Sequence, residues 1–171
     1  MKILIISLLI TSIVFGNILD FKTINTDFKQ VVKNRSGSQA IYKGTLKIKG
    51  NDKILWSYKT PVEKNVYINK NSVIIDEPEL EQAITSSLND ELNMVKIINN
   101  SKKISQNTYE NTLDDTKYTI IIEKNILKSV SYNDELDNKV IITFTNFQKD
   151  ITISDTTFHF TIPKNYDVIK K

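Results

Sequence analysis

The side chains best suited to catalysis are few and scattered along the chain. His159 is the only histidine, and the chain contains no cysteine. Within residues 157–162, His159 alternates with Phe158 and Phe160, so we expect it on the exposed side of a strand. A catalytic triad or a metal site would need partner residues that are not evident. The GxSxG, HExxH and glycine-rich phosphate-loop motifs are also missing. The sequence therefore predicts no enzyme, no cofactor and no metal site.

Two acidic clusters, residues 114–115 and 134–138, are the other candidates for chemistry. Paired catalytic carboxylates or a calcium loop would need oxygen ligands at fixed offsets and a glycine for the sharp bend, which neither cluster has. Both clusters fall between apolar segments. We expect them to be solvated turns.

Composition and charge restrict the class of protein. A chain of 171 residues with 40% hydrophobic and 25% charged residues is long enough for one domain with a core. The positive charge is dispersed over lysines and a single arginine, Arg35, and the net charge is +3. The lack of a dense basic patch argues against nucleic-acid binding.

The first sixteen residues have the pattern of a secretory signal. Met1 and Lys2 precede an apolar run over residues 3–15, and the small residue Gly16 predicts cleavage before Asn17. The run is too short for a membrane span, although an uncleaved anchor is the alternative. We expect a signal peptide at residues 1–16 and a single domain at residues 17–171. Without a cysteine the mature chain can be neither acylated at the cleavage site nor disulfide-bonded.

Residues 42–61 predict a β-hairpin. Leu46 and Ile48 alternate with polar residues before a turn at residues 50–52, and Ile54, Trp56 and Tyr58 alternate after it. Period two on both sides of a turn gives a hairpin with one apolar face.

The same segment carries a family resemblance. The residues concerned are Gly44, Leu46, Trp56 and Pro61, with Phe28-x-Gln30 upstream and Glu79-Leu80-Glu81-Gln82, Phe158-x-Phe160-x-Ile162-Pro163 and Asp167-Val168 downstream. In this order they resemble the periplasmic outer-membrane lipoprotein carriers of the LolA type. The resemblance implies an α+β, mainly β fold: a strongly curved antiparallel sheet, or half-barrel, covered by a lid of about three helices.

Helical spacing suggests which segments form that lid. Phe21, Ile24 and Phe28 recur at intervals of three and four, which predicts a lid helix over residues 17–33. A second helix is expected over residues 91–104. Residues 77–88 fit either a helix or a strand pair, and we favour the strand pair because an apolar strand leads directly into Pro78.

Short apolar segments separated by polar turns predict the sheet. They lie at residues 66–68, 73–75, 118–123, 126–132, 140–147, 151–153 and 157–162. The turns are too brief for crossover helices, which favours an antiparallel meander. Several of the strands are apolar on both faces, which indicates a sheet covered by helices or holding an apolar ligand.

The resemblance implies an acyl-binding cavity beneath the lid, although Trp56 and Tyr58 could equally be ordinary core residues. The candidates are Leu46, Ile48, Ile54, Trp56, Tyr58, Val66, Ile68, Ile75, Ile84, Leu92, Val95, Ile142 and Phe144. In one departure from the family, Gly50 stands where its members have an arginine that latches the lid. Lys49 or Lys53 could replace that arginine, but lysine lacks its planar donor fork.

By resemblance, the chain is expected to be a monomeric periplasmic chaperone. It would shield the acyl chains of lipoproteins and carry them from the inner to the outer membrane. The implied partners are acylated lipoproteins, an inner-membrane lipoprotein-releasing ABC transporter, and an outer-membrane receptor lipoprotein or the outer membrane itself. A related lipid or glycolipid carrier, or a non-catalytic envelope interaction protein, is the alternative.

Overall fold

The computed structural model describes residues 18–87 and 94–171, so the predicted signal peptide and Leu92 lie outside the described residues. The described part contains strands and one α-helix in the following order: β1 Thr23–Lys33, β2 Gln39–Lys49, β3 Lys53–Thr60, β4 Lys64–Asn69, β5 Ser72–Glu77, β6 Gln82–Ser87, α1 Met94–Asn99, β7 Lys102–Lys103, β8 Thr108–Leu113, β9 Thr116–Glu123, β10 Ile126–Asn133, β11 Lys139–Lys149 and β12 Asp167–Lys170. None of its helices has the length and hydropathy of a membrane span.

All of these strands belong to one 12-stranded sheet. Their spatial order is β12-β6-β5-β4-β3-β2-β1-β11-β10-β9-β8-β7. Neighbouring strands are antiparallel except that β12 lies parallel to β6. The first strand is central, because it pairs with β2 on one side and with β11 on the other. The predicted meandering, mainly β architecture is therefore confirmed.

The segment predicted as the first lid helix is a strand. Phe21 precedes β1, and Ile24 and Phe28 lie on it, facing the core. Two polar residues, Thr26 and Gln30, share that inward face and break the apolar alternation. The remaining apolar residues happen to fall at helical spacing, which explains why the helix prediction was wrong.

The second predicted helix is shorter than expected. Of residues 91–104, only α1, Met94–Asn99, is helical among the described residues, and Lys102–Lys103 already pairs with β8. Four of its six side chains are buried. The expectation of about three lid helices is wrong for the part of the chain that the structure describes, where α1 is the single α-helix.

Residues 77–87 form the predicted strand pair, and residue 88 lies outside the described residues. Glu77 on β5 pairs with Gln82 on β6, and Pro78–Leu80 forms a single 3-10 turn between them. Glu81 has a φ of 49°, in the left-handed region, as it reverses the chain. A proline at the start of the turn and a left-handed residue at its end favour this reversal over a continuous helix.

One face of the sheet forms the main hydrophobic core together with α1. Side chains from β1 to β4 and from β9 to β11 contribute to a single cluster, which includes Ile48, Ile68, Ile120 and Ile142. Because strands far apart in the sheet order reach the same cluster, the sheet curves around it. We call this the concave face.

The opposite face is covered by the chain itself. The C-terminal segment, residues 150–166, crosses β3 and β4 on the way from β11 to β12. Ile153 and Phe158 pack against Leu55, and the Phe160 ring stacks on Tyr67 with 5.2 Å between ring centroids. The strands predicted at residues 151–153 and 157–162 are wrong, since this segment contains only the 3-10 helix Asp155–Phe158. Ile153 and Phe158 of this segment are buried against the sheet face, but its backbone joins no ladder.

Candidate functional site

Aromatic rings gather at the centre of the concave face. The Phe28 ring meets Trp56 and Tyr58 edge to face, each at 5.0 Å between ring centroids. Trp56 also contacts Phe144, with centroids 6.3 Å apart. Such edge-to-face and tilted contacts are preferred geometries of aromatic pairs. The cluster joins β3 to β11 across the two intervening strands.

Gly44 on β2 makes room for this cluster. It pairs with Phe28 on β1 and Tyr58 on β3. A Cβ at this position would lie 1.9 Å from the Ser57 carbonyl oxygen and 2.9 Å from a Phe28 ring carbon. The glycine therefore lets the Phe28 ring lie across β2, and this explains its presence in the hairpin motif.

A cavity of about 120 Å³ opens beside the aromatic cluster. It extends from β4 to β10 beneath the first residue of α1. Its lining is Gln30, Trp56, Tyr58, Val66, Ile68, Met94, Tyr132 and Ile142. Met94 closes the cavity on the helix side, and its side chain is buried.

Beneath α1 the described side chains nearly fill the concave face. Near the start of β1 and the end of β2, Val95 and Ile98 of α1 pack with side chains of these strands and leave a space of only about 10 Å³. Leu19 and Phe21, which precede β1, line the same space. The helix therefore occupies the place that an apolar guest would need.

The cavity has a polar side. The Tyr58 hydroxyl donates a hydrogen bond to Gln30 Oε1 at 3.1 Å. Burial, with smaller effects of neighbouring tyrosines, raises the pKa of Tyr58 to about 12. Burial also raises the pKa of Tyr132 to about 12, helped by Tyr118 and Asp134. Both hydroxyls are therefore protonated hydrogen-bond donors at any physiological pH.

The structure brings most of the predicted cavity residues together. Those buried in the main core cluster are Leu46, Ile48, Ile54, Trp56, Ile68, Val95, Ile142 and Phe144, and the partly buried ones packed against it are Tyr58, Val66 and Ile75. Ile84 pairs with Ile75 but is only half buried and is not part of this cluster. Ile24 and Phe28 belong to the cluster, with Phe21 against it, although they were predicted on a helix.

Three lining residues were missed by sequence reasoning: Gln30, Met94 and Tyr132. Gln30 was visible within the Phe28-x-Gln30 motif, but its role was not. Met94 was not among the candidates, although it is the neighbour of Val95 on α1. Tyr132 ends an apolar strand, and only the sheet order shows that it reaches the same cavity as β3.

The other candidates lie away from this cavity. Residues 114–115 and 134–138 are turns, as predicted, and border an open polar groove of about 800 Å³. Asp137 in the second turn forms an ion pair with Arg35. His159 is exposed, as predicted. No group of three or more potential metal ligands occurs among the described residues.

The proposed lysine latch is not found. Lys49 and Lys53 form ion pairs with Asp155 at 2.7 Å and 3.1 Å, and Lys49 Nζ donates to the Ile153 carbonyl at 2.8 Å. Both lysines alternate with inward-facing residues, so they hold the C-terminal segment on the convex side. Neither ion pair involves α1.

Comparison with known proteins decides the family. Residues 20–112, more than half of the chain, match the family model described as outer membrane lipoprotein carrier protein LolA. The chain belongs to the LolA family. It is 37% identical over 152 residues to the outer-membrane lipoprotein carrier protein of Campylobacter jejuni, with 89% of each chain covered. The corresponding protein of Helicobacter hepaticus is 31% identical over 165 residues, which cover 96% of this chain and 91% of the relative.

A solved structure supports the fold of this LolA-family chain. An uncharacterized conserved protein from Thermus thermophilus superposes with a TM-score of 0.54 at 8% identity, covering 88% of this chain and 91% of that one. At so low an identity the likeness concerns the fold alone.

Proposed function

We propose that this LolA-family chain is a non-catalytic carrier that shields the acyl chains of lipoproteins and moves them from the inner to the outer membrane. The observation that carries the proposal is the apolar concave face, with its cavity at Trp56 and a short helix lying over it. Membership in the LolA family, and the printed names of the relatives in Campylobacter and Helicobacter, support the same role.

The physical need for such a carrier follows from hydration. At ~0.8 kcal/mol per buried CH₂, an acyl chain of about fifteen carbons costs roughly 12 kcal/mol to expose to water. A protein that crosses an aqueous compartment with such a chain must bury most of it.

The empty cavity is too small for this task. It measures about 120 Å³, whereas pockets for small-molecule ligands begin at about 300 Å³. We propose that α1 moves away from the concave face when an acyl chain enters, and that the chain takes the place of buried side chains such as Met94 and Val95. Uptake and release then depend on the difference in affinity between the open and closed arrangements.

The working compartment and the partners belong to the same proposal. We propose export to the periplasm through the signal peptide at residues 1–16, with function as a monomer. The donor would be an inner-membrane lipoprotein-releasing ABC transporter. The acceptor would be an outer-membrane receptor lipoprotein or the outer membrane itself.

The single tryptophan provides a direct test. Trp56 lines the cavity, and bromine atoms quench tryptophan fluorescence only at close range. Titration with a dibrominated acyl chain should quench Trp56, and the unbrominated chain should compete. Unchanged fluorescence, together with no bound lipoprotein when the protein is isolated from cells and analysed by mass spectrometry, would contradict the proposal. Depletion of the protein from cells separates a lipoprotein carrier from a lipid or glycolipid carrier. Mislocalised lipoproteins favour the lipoprotein carrier, whereas correct lipoprotein sorting with altered envelope lipids favours the lipid carrier.

A further inference from the structure

Three polar side chains lie at the same end of the concave face. Gln30, Tyr58 and Tyr132 all line the cavity. They stand near the C-terminal ends of β1, β3 and β10, which run in the same direction because each is separated from the next by one antiparallel strand. The remaining lining residues are apolar. The cavity is therefore amphipathic along the strand direction, with its polar end at the rim where these strands stop.

Part of this polar end has hydrogen-bonding capacity left over. The Tyr58 hydroxyl proton is used in the bond to Gln30 Oε1. Within the described ranges, 18–87 and 94–171, Gln30 Nε2 and the Tyr132 hydroxyl donate no hydrogen bond to the protein. Both residues are half buried. A guest that removed the remaining water would leave these donors unpaired unless it brought acceptors, at a substantial cost in free energy.

The type of acceptor follows from the charge of the lining. No charged side chain is among the described residues that line the cavity. The nearby ammonium of Lys64 lies 5.1 Å from the Tyr58 ring centroid but is not part of the lining. A carboxylate or phosphate inside the cavity would therefore have no charged lining residue to pair with, and burying an unpaired charge is costly. A neutral ester carbonyl accepts hydrogen bonds at a much smaller desolvation cost. The raised pKa values of the two tyrosines keep their hydroxyls in the donor form.

We propose that Gln30 and Tyr132 bind the ester carbonyl oxygens that join acyl chains to glycerol, with Tyr58 positioning the Gln30 amide. The inference rests on the proposed carrier function and specifies the ligand as an O-acylated glyceryl group rather than any alkyl chain. The ester groups lie at the rim, and the chains extend along β3 past Trp56 towards Met94.

Two matched probes test this assignment on the unmodified protein. One is a cysteinyl peptide carrying a dipalmitoylglyceryl group, and the other is its dialkyl ether analogue, which has the same chains and no carbonyl oxygens. Competition with a brominated acyl chain for quenching of Trp56 measures both affinities. Two neutral hydrogen bonds predict that the ester probe binds roughly tenfold more tightly. Equal affinities overturn the assignment but leave the carrier function standing, whereas no binding of either probe overturns both.

Variants assign the preference to the named side chains. The double variant Gln30→Met with Tyr132→Phe should lose the preference for the ester over the ether probe, whatever the change in its affinity for the ether probe. Tyr109→Phe is the matched control, because Tyr109 packs against the same core but does not line the cavity. It should keep the ester preference. Retention of the full preference by the double variant would refute the role of Gln30 and Tyr132.

Discussion

Met94 offers the sharpest test of the idea that the helix occupies the site of the guest. Its side chain is 7% exposed and closes the cavity beside Trp56. Replacing a buried methionine by alanine costs about 2–5 kcal/mol of unfolding free energy. We therefore expect Met94→Ala to lower the stability of the empty protein by that amount, measured by urea unfolding.

The same substitution should favour binding. Three heavy atoms at interior packing density leave a void on the order of 60 Å³, which adds to the existing cavity of about 120 Å³. At about 24 cal/mol per Å³, such a void costs roughly 1.4 kcal/mol. An acyl chain that fills it recovers this free energy. The affinity for the chain should then rise about tenfold.

Ile97→Ala is the matched control. Ile97 lies on the same helix and is 1% exposed, but it does not line the cavity. Ile97→Ala should lower the free energy of unfolding about as much as Met94→Ala does, so both variants weaken the packing of α1. Quenching of Trp56 by a dibrominated acyl chain, titrated against each variant, should show tighter binding for Met94→Ala in particular. Equal affinities for the two variants would refute the claim that Met94 stands where the chain binds, and would attribute any gain to general loosening.

Three further predictions concern the sheet and its convex cover. Gly44→Ala places a Cβ 1.9 Å from the Ser57 carbonyl oxygen, so we expect it to lower the free energy of unfolding by more than about 4 kcal/mol or to give no soluble protein. A near-native melting temperature would contradict this geometry. Phe158→Ala should lower the free energy of unfolding by about 3–5 kcal/mol. It should leave quenching of Trp56 by bound acyl chains unchanged, because Phe158 is buried on the opposite face of the sheet. Weaker binding by the folded variant would contradict this separation of the two faces. Hydrogen bonds from Lys49 and Lys53 lower the pKa of Asp155, so its contribution to stability is present above its ordinary pKa of 3.8 and disappears as the pH falls through the lowered value. Asp155→Asn should be less stable than the parent in urea unfolding at neutral pH and equal to it in strong acid, and a difference that persists in acid would exclude the ion pairs as its cause.

The central hairpin was predictable because its inward residues are all apolar. Leu46 and Ile48 precede the turn, and Ile54 and Trp56 follow it, each alternating with a residue on the convex side. Period two needs no knowledge of distant strands, so the sequence alone was sufficient.

The first strand was not predictable for the opposite reason. Thr26 and Gln30 occupy inward positions because each has a partner elsewhere in the fold: Thr26 Oγ1 donates to the Thr145 carbonyl at 2.7 Å, and Gln30 accepts from Tyr58. Those partners are remote in sequence. In the local sequence pattern, Thr26 and Gln30 therefore interrupt the apolar alternation of a strand, although both side chains are hydrogen-bonded in the fold.

The C-terminal segment shows a second limit of the pattern. The alternation of Phe158 with Phe160 predicted a strand, and both side chains do contact the sheet. Alternation reports which side chains are buried, but not whether the backbone forms a ladder. The cavity has the same limit, since the meeting of Gln30 with Tyr132 depends on the pairing of β1 with β11 and of β11 with β10.

The position of β1 has a consequence for synthesis. This strand pairs with β11, so Ile24 meets Lys149 although they are far apart in the sequence. A chain that ends before Lys139 holds β1 with one unpaired edge, because its partner strand β11 is absent. Unpaired edges of this kind promote association between chains. The central pairing of the sheet can thus form only after β11, at residues 139–149, is available.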